Sequence, residues 1–172
     1  MKKTLKFTLS DMDYTKLFSI LRGSLFKKEF FTDYFYDTSG LLFYEQYAQI
    51  VIRKSATSFM GYVVSHDQVA NSFSLDKIPN ILSVDGVAVS LKGSIATERS
   101  VFGLSHNVEF ILDKDICLNE ESFEFYVKYP IDQEQAVGGM IQLVQAILGK
   151  TLSPSSISKS DRLSKIFSGN RR

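Results

Sequence analysis

Apolar and polar residues alternate from the start of the chain. Leu5, Phe7 and Leu9 fall on one side of the repeat, and Lys2, Thr4, Lys6 and Thr8 on the other. A period of two predicts a strand with one polar face over Lys2–Leu9. Ser10 then stands as an N-cap before Asp11 and Asp13, and Leu17, Phe18, Ile20 and Leu21 recur at helical spacing until Gly23, which predicts a helix. From Phe31 to Lys54 the pattern is strand, turn, strand. Tyr34, Phe35 and Tyr36 favour extended backbone, Asp37-Thr38-Ser39-Gly40 is turn chemistry, and Ile50 to Lys54 resume the extended run with Arg53 and Lys54 at its end.

Further along, Ser58–Ser65 reads as a strand, and Asp67–Asn80 is weakly patterned, predicting a short helix or a loop limited by Pro79. Val84–Lys92 alternates around a turn-like Asp85-Gly86, Lys92-Gly93-Ser94 looks like a hairpin turn, and Ala96–Phe102 is a strand carrying Thr97 and Arg99 on one face. Val108–Leu112 is a strand followed by a turn at Asp113-Lys114-Asp115, and Ser122–Tyr129 alternates until Pro130 stops it. Asp132 with Gln135 predicts a capped helix whose apolar stripe runs through Ala136, Val137, Met140, Ile141, Val144, Ile147 and Leu148 to Gly149. Ser153–Ser158 reads as a linker, Lys159–Phe167 as a short basic helix, and Gly169–Arg172 as a frayed tail.

About eight strands with a helix near each end point to an α+β fold: an antiparallel barrel or a strongly curved sheet with flanking helices. Closed into a barrel, the polar strand faces would line a wet interior; as an open sheet, they would face solvent. The 172 residues suit one domain spanning residues 1–172. A net charge of +1 provides no bulk field for nucleic acid, so an anion site must come from local clustering. The one cysteine, Cys117, excludes an internal disulfide framework and fits a reducing compartment, as a small buried residue. The opening MKKTLKFTLS has no apolar core of a secretory leader, and the chain has no apolar run long enough to span a bilayer; a cytoplasmic location is expected. His66 and His106 have no nucleophile or metal-ligand partner at telling spacing and read as surface residues. Tyr34, Phe35, Tyr36, Phe43, Tyr44 and Tyr47 could stack on bases but read first as packing.

Within Phe31–Lys54, TDYFYDT followed by IVIRK resembles the CYTH family, or triphosphate tunnel metalloenzymes, whose members read D-x-Y-Y-D-T and then L-R-I-R at this spacing. Three other stretches agree in order. Lys6-Phe7 falls where the family's E-x-E-x-K strand ends, Val108–Pro130 resembles its h-x-L-D and Y-E-L-E-I-E strands, and SISKSDR at Ser156–Arg162 resembles a basic C-terminal signature. The resemblance implies an eight-stranded antiparallel tunnel that binds triphosphate ligands with Mg²⁺ or Mn²⁺, usually to hydrolyse them, as in thiamine triphosphatases, tripolyphosphatases and class IV adenylyl cyclases. Carried over position by position, it makes Lys6, Arg53 and Arg99 ligand-binding candidates and Glu124 a metal ligand, and it names no catalytic residue; Lys128, a cation at a position where the family has an acid, joins the ligand-binding candidates. The chain departs from the pattern where Lys2 and Thr4 replace two metal-binding glutamates, Val51 an arginine, Thr97 a lysine, and Tyr126 and Lys128 two further acids. Lys2 becomes an added cation, and Glu109, Asp113 and Asp115 are candidates for a relocated acidic site. Lys159 and Arg162 are candidates for closing a tunnel mouth. The expected ligand is a phosphate-rich small molecule. The expected function is triphosphate or polyphosphate binding with weak metal-dependent phosphohydrolysis, or non-catalytic binding on the same barrel.

Overall fold

The structure is a computed structural model that describes residues 2–46, 48–65, 68–103, 107–159 and 161–163. Among the described residues, nine strands and a few helices make an α+β fold. In chain order the strands are β1 (Lys2–Leu9), β2 (Leu25–Asp37), β3 (Ala48–Lys54), β4 (Phe59–Ser65), β5 (Gln68–Leu75), β6 (Ile81–Val84), β7 (Val87–Gly103), β8 (Glu109–Cys117) and β9 (Glu120–Pro130). The α-helices among the described residues include α1 (Asp11–Leu21), α2 (Leu42–Glu45) and α3 (Glu134–Leu148). Strand order is β1-β9-β8-β7-β2-β3-β4-β5, with β6 on β7. Among the described residues no ladder joins β1 to β5, so the sheet as described is open. No helix among those residues is long and apolar enough to cross a membrane. The chain divides into two compact units: Met1–Glu29 with Thr97–Ser156, and Phe30–Ala96 with Ile157–Arg172.

In the first unit β1 pairs antiparallel with β9, and β9 with β8. Period-two alternation puts Phe7, Leu9, Phe123, Phe125, Val127, Phe110 and Leu112 on one face, where they bury against Leu17 of α1 and Val137 and Val144 of α3. Each large apolar side chain so buried contributes about 1.5–3 kcal/mol, which makes this face the core and leaves its opposite free for polar chemistry. Ser10 caps α1 as expected, its hydroxyl accepting from the Asp13 N–H in a capping box. The expected Asp132 cap is not made: Ile131–Gln133 form a 3₁₀ turn, and α3 begins at Glu134 without a side-chain cap. Gly149 ends α3 in the left-handed conformation, φ 72°.

The main correction lies in β8. Asp113-Lys114-Asp115 is not a turn; the strand runs on to Cys117, and the reversal comes at Leu118 and Asn119, with φ 48° and 67°. The polar composition of DKD imitates a turn, but alternation continues through it and both aspartates find partners across the sheet. Cys117 is half-buried.

The second unit holds the end of β2 and the meander β3-β4-β5, with Tyr36 opposite Ile50, Val51 opposite Tyr62 and Tyr62 opposite Ser72. Part of the region expected to be helix or loop is strand β5; Asn71, Ser72 and Ser74 dilute its alternation, but backbone pairing with β4 holds it extended. Lys92-Gly93-Ser94 is not a turn, since β7 runs unbroken for 17 residues. The hairpin turn is Asp85-Gly86, both at positive φ (49° and 78°), joining β6 to β7. Tyr36, Ile50, Ile52, Val84 and Val89 form this unit's core. Gly61 lies directly over the Phe73 ring, leaving no room for a Cβ.

Candidate functional site

Facing away from the apolar core of the first unit is a polar surface built from alternate residues of β1, β9, β8 and β7. Register places Thr8 opposite Glu124, Lys6 opposite Tyr126 and Thr4 opposite Lys128. On the other side of β9, Asp113 lies opposite Glu124, and Glu109 opposite Lys128. Asp113, Asp115 and Glu124 are buried, at 0%, 1% and 3% exposure. A buried carboxylate is costly unless paired, and all three are.

Arg99 grips Asp113 with two parallel hydrogen bonds, Nε to Oδ1 at 2.8 Å and Nη2 to Oδ2 at 2.7 Å. Burial alone would push the guanidinium pKa down, but the hydrogen bonds and charge of Asp113 outweigh it and raise it. Thr97 donates its hydroxyl to Asp115 at 2.6 Å. Glu124 forms an ion pair with Lys6 at 3.3 Å and accepts a hydrogen bond from the Tyr126 hydroxyl. Burial, followed by the nearby charges of Glu124 and Asp113, pushes the Tyr126 phenol well above its usual range, so it stays protonated and donates. The Arg99 guanidinium lies 5.8 Å from the Tyr126 ring centroid. Nearer the β1 start and β9 end, Lys2 approaches Glu109 at 3.9 Å, with side chains 58% and 40% exposed. Lys128 is half-buried and makes no ion pair among the described residues.

Arg53 lies in the second unit and repeats the arrangement. Its Nε and Nη2 bind Asp33 at 2.7 and 2.8 Å, and its guanidinium stacks 4.0 Å from the Phe31 ring centroid. Lys159 approaches the same ring at 5.4 Å. Asp37, the other aspartate of TDYFYDT, accepts the backbone N–H groups of Thr38, Phe43 and Tyr44. Phe35 and Tyr36 are buried, and the Tyr36 hydroxyl donates to the Pro79 carbonyl at 2.6 Å. A small cavity of about 40 Å³ opens here between Phe35, Asp37, Tyr44, Ile50 and Lys92. His66, His106 and Tyr47 lie outside the described residues, as does the basic segment beyond Leu163.

The first unit's surface therefore brings together Lys6, Arg99, Lys128 and Glu124, while Arg53 belongs to the other unit's polar cluster. Sequence reasoning missed Asp33 and Tyr126 as partners and read Asp113 and Asp115 as turn acids. The available signal was matched spacing: Thr97 and Arg99 lie two apart, as do Asp113 and Asp115. A divalent metal would need several carboxylate oxygens converging on one point. Both Asp113 oxygens are held by Arg99, Glu124 is held by Lys6 and Tyr126, and no group of three or more acidic, histidine or cysteine side chains converges among the described residues. Among the described residues the donor set does not fit Mg²⁺ or Mn²⁺.

No family model matches the chain, and no curated protein matches it. Solved structures do. A candidate adenylate cyclase from Bacillus halodurans superposes with a TM-score of 0.70 at 16% identity, covering 94% of this chain and 97% of the other. A Hippeastrum protein, described as a candidate adenylyl cyclase with a dominant triphosphatase activity, gives a TM-score of 0.74 at 15% identity, covering 100% and 97%. A candidate adenylate cyclase from Vibrio parahaemolyticus gives 0.56 at 17% identity, covering 95% and 97%. At these identities the likeness is one of fold, and the chain has a CYTH-like fold.

Proposed function

We propose that the protein binds a triphosphate or polyphosphate ligand on the polar strand faces of its CYTH-like fold. The observation that carries this reading is the array of Lys2, Lys6, Arg99 and Lys128 on one sheet face in the first unit, next to carboxylates that hold two of them in place. Arginine offers paired donors to phosphate oxygens, and lysine a compact charge. Arg53, preset by Asp33, is proposed as a phosphate contact in its own unit. Internal carboxylates compete with the ligand for these cations, so binding exchanges one anionic partner for another instead of filling an empty cationic hole.

Calorimetric titration with tripolyphosphate tests this reading. Saturable binding is expected; Lys6→Gln should weaken the first unit's contact about 10-fold or more, the value of one charge-assisted contact, and Arg53→Ala the second unit's contact likewise. Unchanged affinity in both variants would refute it. The second reading, a phosphohydrolase, draws on the triphosphatase activity described for the Hippeastrum structure. It predicts metal-dependent phosphate release that is lost in Glu124→Ala.

A further inference from the structure

We propose that the site takes its polyanion free of divalent metal, with the ammonium groups of Lys2 and Lys128 supplying the charge that a metal ion would bring. The inference rests on the anion-binding reading above. On β1, Lys2, Thr4 and Lys6 occupy successive positions of one face, and Lys128 of β9 stands directly opposite Thr4. Lys2 and Lys6 are thus the two diagonal neighbours of Lys128, each about 7–8 Å away across an antiparallel pair. That spacing is within reach of adjacent phosphates on one chain.

Lys2 is exposed and Lys128 half-buried, so both are open to a ligand. The facing acids do not neutralise them tightly. Glu124 is engaged by Lys6 and Tyr126, and Glu109, directly opposite Lys128 in register, forms its ion pair among the described residues with Lys2, at 3.9 Å. Lys128 therefore has no carboxylate within ion-pair distance among the described residues. A metal arriving with the phosphates would find its ligand positions closed and would meet two ammonium groups. A metal complex of the same polyphosphate also carries less negative charge for the lysines to attract.

Titrations of tripolyphosphate into the whole chain in EDTA and in excess Mg²⁺ separate the possibilities. Binding in EDTA that weakens several-fold in Mg²⁺ is the expected result. Lys128→Gln should lower the EDTA affinity about 10-fold, and Lys128→Arg should restore most of it. Binding only in Mg²⁺, or at least 10-fold tighter in it, would overturn the metal-free inference and leave the anion-binding reading standing. Absence of binding in both buffers would overturn both.

Discussion

Replacing Asp113 by Asn tests the polar face through stability alone. The carboxylate is 0% exposed and accepts both hydrogen bonds from Arg99, whose side chain is only 18% exposed. Asn keeps the shape, removes the charge and takes the bidentate Asp113 carboxylate away from a largely buried guanidinium. Breaking one side of such a pair costs about 3–5 kcal/mol. At about 2–4 °C per kcal/mol for a chain of this size, the unfolding midpoint should fall about 6–20 °C. The double variant Arg99→Met, Asp113→Leu should recover to within about 1 kcal/mol of the parent, because it removes both charges together. Urea and thermal unfolding of the parent, the single and the double variant measure all three. Tripolyphosphate should raise the midpoint of Asp113→Asn more than that of the parent, since the ligand restores an anion beside Arg99. A single variant within about 0.5 kcal/mol of the parent would refute the buried bidentate pair.

Two further outcomes follow from packing and burial. Gly61→Ala drives a methyl into the Phe73 ring and should destabilise the second unit by about 1–3 kcal/mol, with Phe73→Leu relieving part of the loss; denaturant midpoints of the single and double variants check it. Burial pushes the Tyr14 phenol up to about 12, beside Phe123 and Phe18. Because the folded value lies above the unfolded one near 10, the unfolded chain loses its proton first, and stability falls as pH rises through that window. Tyr14→Phe should flatten this alkaline fall by roughly 1–3 kcal/mol; an identical slope would contradict the assignment.

Strands with clean alternation were legible from the residues alone. Lys2–Leu9 and Ser122–Tyr129 carry a large apolar residue at nearly every second position, and both form where expected. Legibility failed where polarity was used inside the sheet. Asp113 and Asp115 look like turn residues until Arg99 and Thr97 are placed beside them, and those partners come from a strand 14 to 18 residues earlier. β5 failed for a related reason, since its extension depends on β4 and not on its own apolar content. Capping showed the same limit: Ser10 and Asp13 close a box, whereas Asp132 lies inside a 3₁₀ turn. At the site, Lys6, Arg99, Lys128 and Glu124 could be placed on the polar face from alternation and family resemblance. The pairing that neutralises two of these cations could not, because it depends on which residue faces which across the ladder.

The most direct test of an extended anion site is a calorimetric series with orthophosphate, pyrophosphate and tripolyphosphate at fixed ionic strength in EDTA. Lysines spaced along β1 and β9 should make each added phosphate tighten binding by several-fold, and Lys128→Gln should reduce that increment. Affinity independent of phosphate number, or a series unchanged in Lys128→Gln, would contradict polyphosphate binding on this face.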